Sequence, residues 1–177
     1  ILDVVSGVMQ GELDNAFCAV RPPGHHAEVD NAMGFCYFNN VAIAARYLQN
    51  QWGIHRVGII DFDVHHGNGT VDIFKYRPEV LVCSSFQHPF YPGSGAGATA
   101  ANIVNLPLPA GTGSEAFRAA VEDAGIDRTD IDASVIGAVP DPAGEQVWMC
   151  DGLDEFDGQV ENLLDAIEAI RKAREGL

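Results

Sequence analysis

The chain has 177 residues, 47% of them hydrophobic and 20% charged, which excludes a disordered protein and predicts one domain, or one domain plus a fragment. Its net charge of −15 argues against direct nucleic-acid binding, because phosphates would be repelled. No apolar run has the roughly 18 to 20 residues of a membrane-spanning helix, and the N-terminus lacks a secretory-signal pattern. The four cysteines form no C-x-x-C pair, which indicates a reducing compartment, and we expect a cytoplasmic protein.

Negative charge is concentrated towards the C-terminus. The last 57 residues contain 15 of the 25 acidic residues but only 4 of the 10 basic ones. We therefore predict a first part, residues 1–123, followed by an acidic tail, residues 124–177. Within the tail, residues 133–139 and 146–150 have the composition of strands, and an apolar stripe over residues 156–170 predicts an amphipathic helix.

Before this boundary, helix-like and strand-like segments alternate. Residues 40–51 carry apolar side chains at helical spacing. Residues 57–60 and 80–83 are short apolar runs, typical of strands that are buried on both faces. Residues 91–113 are rich in Gly and Pro and are predicted to be mainly loop. This order predicts an α/β fold with a mostly parallel sheet flanked by helices.

The segment most informative about function is I-I-D-F-D-V-H-H-G-N-G-T, residues 59–70. Polar side chains that follow a buried strand lie at the carboxyl edge of the sheet, where α/β proteins bind ligands. Because alternate residues of an extended chain point the same way, Asp61, Asp63 and His65 are predicted to share one side. Asp and His are zinc ligands, and a catalytic zinc uses three protein ligands and a water. The spacing favours metal binding over a purely structural Asp/His cluster.

A second polar motif is R-P-P-G-H-H-A, in which His25 and His26 follow a turn that Pro and Gly make rigid and tight. Adjacent imidazoles near a carboxylate can move a proton and hold a charge. An isolated pair is more often solvent-facing, but together with the metal-binding segment it indicates a metal-dependent hydrolase. The aromatic residues Phe35 and Tyr91 fit either core positions or the walls of an apolar tunnel.

Four long segments carry a family resemblance. They are R-P-P-G-H-H-A-E-V-D-N-A-M-G-F-C-Y-F-N-N, I-I-D-F-D-V-H-H-G-N-G-T, S-S-F-Q-H-P-F-Y-P-G-S-G and N-I-V-N-L-P-L-P-A-G-T-G-S-E-A-F. From about residue 3 to about residue 123 the sequence resembles the zinc-dependent histone deacetylase family, and within it the bacterial class II-like deacetylases, also called histone deacetylase-like amidohydrolases. The resemblance implies a three-layer, arginase/deacetylase-like fold. It also implies zinc-dependent removal of acetyl groups from acetyl-lysine or a small acetylated amine.

The resemblance further implies catalytic roles. His25 and His26 would flank the zinc-bound water, with His26 as the general base. Asp61 would orient His25 and line a structural potassium site, and Asn68 would support His26. These supporting roles are reasonable because a hydrogen-bonded carboxylate or amide fixes the tautomer and basicity of an imidazole.

The metal and substrate positions follow from the same resemblance. Asp63 and His65 match two of the three zinc ligands. Gly34, Phe35 and Tyr91 match the lining of the acyl-lysine tunnel.

Two family motifs are missing from this sequence: G-F-D-A-[HS], which supplies the third zinc ligand, and G-G-Y, which supplies a transition-state hydroxyl. Asp132 is the nearest candidate for the third ligand. We expect residues 124–177 not to complete the site. The alternative to an active deacetylase is therefore a truncated, weak or inactive chain that keeps only the acyl-binding tunnel. The oligomeric state is left open.

Overall fold

A computed structural model describes residues 1–116 and 133–137 of the chain. The described part contains three α-helices and four β-strands. In chain order these are α1 (Leu2–Met9), α2 (Asn40–Trp52), β1 (Val57–Asp61), α3 (Asn68–Phe74), β2 (Val80–Gln87), β3 (Ile103–Leu108) and β4 (Ala133–Gly137).

The four described strands form one parallel sheet in the order β3-β2-β1-β4. β1 therefore lies between β2 and β4, and its last residue, Asp61, pairs with Ser84 on one side and Gly137 on the other. The predicted parallel α/β sheet flanked by helices is confirmed. Because the strands are parallel, their carboxyl ends form a single edge, at which the predicted site residues lie.

One face of the sheet holds the core. Val57 and Ile59 of β1 and Val80 and Val82 of β2 are buried on this face, where alternate strand residues meet α2 and α3. The complete set of buried core side chains is Ala42, Ala45, Leu48, Val57, Ile59, Val71, Phe74, Val80, Val82 and Ile103. The described residues thus provide the sheet and one helical layer, and the second layer of the expected three-layer fold would lie outside them.

Three predicted elements are confirmed with small changes, and the structure contains one strand that was not predicted. The helix over residues 40–51 is α2, whose N-terminus is capped by Asn39 through a 3.0 Å bond from Ala42 N. The strands predicted at 57–60 and 80–83 are β1 and β2, the latter longer than predicted. Residues 91–113 are mainly loop, as predicted, but they also include the strand β3. Pro107 obscured it, yet β3 is the outermost described strand, where a missing N–H is tolerated.

In the tail, the predicted strand 133–139 is observed as Ala133–Gly137 and belongs to the same sheet as β1. The boundary proposed near residue 123 therefore falls between two strands of one sheet, and the division into two parts stays a prediction. The predicted strand 146–150 and helix 156–170 lie outside the described residues. Within the described ranges the structure contains no helix with the length and apolarity needed to cross a membrane.

Candidate active site

A tight turn presents the two adjacent histidines. Ala27 N donates to Gly24 O at 3.0 Å, so His25 and His26 occupy the two central positions of the turn. The turn is held against α3 because Thr70 N donates to His25 O at 3.2 Å. Both imidazoles are buried. The R-P-P-G-H-H segment therefore points its histidines inward, and the solvent-facing alternative is wrong.

The end of β1 brings the carboxylates to the same place, although not as a continued extended strand. Asp61 Oδ1 accepts a 3.2 Å bond from Asp63 N, and Asp63 Oδ1 accepts a 2.8 Å bond from His65 N. Such bonds from a side chain to the backbone two residues later produce successive turns. The expectation that Asp61, Asp63 and His65 share one side because the strand continues is corrected. Asp61 is the last residue of β1, and the turns that follow it, rather than a continued strand, place Asp63 near His25.

His25 is bound to a carboxylate. Its Nδ1 lies 2.8 Å from Asp61 Oδ2, and its Nε2 lies 3.9 Å from Asp63 Oδ1. Burial alone would lower the pKa of His25, but the charge of Asp61 and the hydrogen bond to it outweigh burial and raise the pKa. Gly67 packs against this pair so closely that a β-carbon there would overlap the Asp61 carboxylate. The predicted His25–Asp61 pairing is present in the structure.

His26 is bound to an amide. Its Nδ1 lies 2.7 Å from Asn68 Oδ1, and its ring centre is 4.1 Å from that of His25. Burial, together with the charge of His25, lowers the pKa of His26 to about 4. Gly34 has a φ of 55°, and a side chain there would overlap the His26 ring. His26 is therefore a neutral imidazole at physiological pH. Its ring packs against Gly34, where only glycine leaves enough space.

Asp63 and His65 are the donor pair predicted to bind metal. His65 Nδ1 lies 2.9 Å from Asp63 Oδ1, close to the roughly 3.3 Å between two ligands bound to a tetrahedral zinc at about 2.0 to 2.1 Å. Burial would raise the pKa of Asp63, but hydrogen bonds from His65 and the charge of His25 lower it. Asp63 is thus ionised, as a zinc ligand must be. These two side chains fit a zinc site as two of its ligands.

A third ligand is not found among the described residues, where no group of three His, Cys, Asp or Glu side chains is arranged to hold a metal ion. Asp132, the predicted candidate, lies outside the described ranges. The residue after it, Ala133, pairs with Val57 at the end of β1 opposite to Asp63. This register gives no support to Asp132 as a ligand. A potassium site at Asp61 stays a prediction.

Aromatic rings line the open side of the site. Phe90 stacks on His65 at 5.1 Å with an interplanar angle of 14°, and Tyr91 meets His26 edge-on at 5.1 Å. Tyr91 is 46% exposed and Phe35 is 75% exposed, so neither is a core residue. Phe35 follows Gly34 in a turn closed by a hydrogen bond and has a φ of 61°. Tyr91 thus lies beside the histidines, as a wall of an acyl-binding tunnel would, and Phe35 follows Gly34, which packs against His26.

The structure also adds three residues for which no function was predicted. Phe90 precedes the predicted Tyr91. His66 is buried, with Nδ1 2.8 Å from Ser94 Oγ and Nε2 3.2 Å from Asn105 Oδ1. Glu28 accepts a 2.7 Å bond from Asn68 Nδ2. The doubled histidines in H-H-G-N-G and the E of H-H-A-E are sequence signals that could have drawn attention to His66 and Glu28.

Comparisons with known proteins identify the family of this chain. The histone deacetylase domain family matches residues 1–129, and the chain belongs to this family. It is 51% identical over 113 residues to "Histone deacetylase 10, chloroplastic" of Oryza sativa subsp. japonica, covering 60% of this chain and 26% of that protein. It is 52% identical over 99 residues to "Histone deacetylase 9" of Homo sapiens, covering 54% of this chain and 10% of that protein.

A solved structure gives the same result for the fold. Acetylpolyamine aminohydrolase from Burkholderia pseudomallei superimposes with a TM-score of 0.68 at 41% identity, covering 77% of this chain and 42% of that one. The described sheet, flanked by helices, thus has the fold shared by histone deacetylases and acetylpolyamine aminohydrolase. The chain spans less than half the length of each of these relatives.

Proposed function

We propose that this chain provides part or all of a zinc-dependent amidohydrolase site. The site would remove acetyl groups from acetyl-lysine or related acetylated amines. Family membership supports a deacetylase or related amidohydrolase as the reaction class. The arrangement of the two histidines supports hydrolysis by an activated water.

The observation that carries the proposal is that two imidazoles in van der Waals range of each other have different hydrogen-bond partners. His25 is bound to the carboxylate of Asp61, which raises its pKa, whereas His26 is bound to the amide of Asn68 and has a pKa of about 4. Neighbouring groups whose pKa values are pushed apart can serve as acid and base in one reaction. His26 is then the neutral proton acceptor, and His25, whose pKa is raised, is the proton donor.

Each residue of the site would have a separate role in the reaction. Asp63 and His65 would hold zinc, which when bound polarises an acetyl carbonyl and lowers the pKa of a water. His26 would accept a proton from the attacking water at Nε2, because its Nδ1 is engaged with Asn68. His25 stabilises the developing charge and returns a proton to the leaving amine. Tyr91 and Phe35 hold the acyl chain and limit access of bulk water.

We propose that the third zinc ligand comes from the sequence after Gly137. This residue pairs with Asp61, so β4 ends at the edge of the sheet where the histidines lie. The first carboxylate in the sequence beyond it is Asp141, which lies outside the described residues. This proposal differs from the expectation that residues 124–177 do not complete the site, which stays an untested prediction because most of these residues lie outside the described ranges.

The deciding experiment measures zinc stoichiometry and deacetylation on the full chain. Metal-free protein is loaded with zinc, and release of acetate from an acetyl-lysine peptide and from an acetylated diamine is followed. We expect one zinc per chain, and turnover that His26→Gln reduces without loss of zinc. Turnover that persists after removal of zinc would contradict the proposal.

The second candidate is a chain that binds acetylated amines with little or no turnover. The presence of only two metal donors among the described residues favours it. It predicts weak zinc binding, together with acyl-lysine binding that depends on Tyr91. Zinc bound below equal stoichiometry, without acetate release, would support this alternative.

A further inference from the structure

Asn68 connects His26 to a carboxylate that the reaction does not otherwise use. Asn68 Oδ1 lies 2.7 Å from His26 Nδ1, and Asn68 Nδ2 donates to Glu28 Oε1 at 2.7 Å and to Met33 Sδ at 3.2 Å. His26 and Asn68 are buried, whereas Glu28 is half-buried at the end of this chain of hydrogen bonds.

The orientation of the Asn68 amide follows from what Glu28 can accept. An ionised carboxylate accepts hydrogen bonds and cannot donate them, so the NH₂ group of Asn68 must face Glu28. The carbonyl oxygen of Asn68 then faces His26 and can only accept. His26 Nδ1 must therefore carry the proton, which leaves a free lone pair on Nε2.

Without an acceptor at position 28, the remaining acceptor of Asn68 Nδ2 among the described residues is the weakly accepting Met33 Sδ, so the two ends of the amide are poorly distinguished. If the amide turned over, its NH₂ group would face His26, and Nδ1 would have to accept. The proton would then lie on Nε2, and this nitrogen could no longer take a proton from a water. The choice between the two tautomers thus depends on a residue whose carboxylate is bound to Asn68 and not to His26.

We propose that Glu28 is a positioning residue that fixes the tautomer of His26 through the side-chain amide of Asn68. The local structure holds Glu28 in place for this role. Glu28 N donates to Asn31 O at 3.0 Å, and Asn31 Nδ2 donates to Glu28 Oε2 at 3.3 Å. The next residue, Val29, is bound through its N–H to Asp72 Oδ2 at 3.2 Å, which ties this segment to α3.

The test reads the tautomer directly, by NMR of the full chain labelled with ¹⁵N in its histidines and held near pH 8. The His26 signals are assigned by their loss in His26→Gln. In the unsubstituted protein we expect Nδ1 to give the protonated-type signal and Nε2 the unprotonated-type signal. In Glu28→Ala we expect a second tautomer with these two roles exchanged.

A rescue variant separates positioning from a general effect on the fold. In Glu28→Ala/Asn68→Asp, both ends of the side chain at position 68 are acceptors, so no orientation is required and the Nδ1-protonated tautomer should return. Asp30→Asn, which neutralises an exposed carboxylate two residues away, is the matched control and should leave the spectrum unchanged. An unchanged tautomer in Glu28→Ala, or a change that Asn68→Asp does not reverse, would overturn the proposal.

If Glu28→Ala does not fold, Glu28→Gln provides the same test. A glutamine amide presents either an acceptor or a donor to Asn68, so both tautomers of His26 should be populated. A single Nδ1-protonated species in Glu28→Gln would also overturn the proposal.

The catalytic consequence rests on the proposed function, whereas the tautomer measurement requires neither zinc nor turnover. In an active chain, kcat of Glu28→Ala should fall by about ten- to a hundredfold with KM unchanged, as for other residues that support a catalytic imidazole. Recovery of kcat in the double variant supports the role of Glu28. Absence of turnover in every variant, with the tautomer changes present, would count against the amidohydrolase and not against Glu28.

Discussion

Gly137, the last residue of β4, pairs with Asp61, the last residue of β1. The two strands are parallel, so the chain leaves both at the same edge of the sheet. The first residue of β4, Ala133, pairs instead with Val57. Val57 is about 13 Å from Asp61 along β1, at about 3.3 Å per residue. β4 therefore ends, and does not begin, at the edge of the sheet where the histidines lie.

This pairing leads to a prediction about the third zinc ligand. Asp141→Asn should weaken zinc binding by at least an order of magnitude, because a neutral amide replaces an anionic ligand. Asp132→Asn, a matched change at the other end of β4, should leave zinc affinity unchanged. Competition with a chromophoric chelator measures both affinities. Equal affinities in the Asp141 variant and the unsubstituted protein would exclude Asp141 as a ligand.

A second set of variants should distinguish the metal ligands from the proposed base. Asp63→Asn and His65→Ala should lose zinc and turnover together. His26→Ala should keep zinc and lose about 10²- to 10⁴-fold in kcat, because its proposed contribution is proton transfer. Zinc content by elemental analysis and acetate release give the two readouts. Loss of zinc from the His26 variant would show that this residue binds the metal.

The low pKa of His26 predicts how the stability of the metal-free protein depends on pH. Between its ordinary pKa of 6.5 and about 4 in the folded chain, the unfolded state binds a proton that the folded state does not. The free energy of unfolding therefore falls as pH falls through this range, by up to about 3 kcal/mol from this group. Urea unfolding at pH 7.5 and pH 4.5 should show a smaller loss for His26→Gln. Equal losses in both proteins would contradict the pKa assignment.

The backbone at Phe35 predicts a stability difference between two truncations. A residue other than glycine in the left-handed region costs about 1 to 2 kcal/mol, and Phe35 has a φ of 61°. Phe35→Gly should therefore be about 1 kcal/mol more stable than Phe35→Ala in urea, and both should raise KM for an acetylated substrate. Val29 is also exposed but lies outside the left-handed region. At this position the alanine variant should be more stable than the glycine variant. An alanine variant at position 35 that is at least as stable as the glycine variant would remove the case for strain.

The sequence by itself determined the local elements and the chemical content of the site. Apolar spacing identified α2, and short β-branched runs identified β1 and β2, because these patterns act over a few neighbouring residues. The clustering of Asp61, Asp63 and His65 within five positions marked a metal site for the same reason. The strand β3 was not predicted, because it contains Pro107. Only the described sheet shows that β3 is its outermost strand, where a missing N–H is tolerated.

The tertiary structure decided which residues meet across long separations in the chain. His25 and Asp61 are 36 residues apart, and His26 and Asn68 are 42 apart, so no periodicity in the sequence could pair them. The same holds for Glu28 and Asn68, which are 40 residues apart. Proton position, ionisation and metal affinity depend on distance and burial in the folded chain. These properties are decided by the fold, which places the Gly24–Ala27 turn beside the carboxyl end of β1.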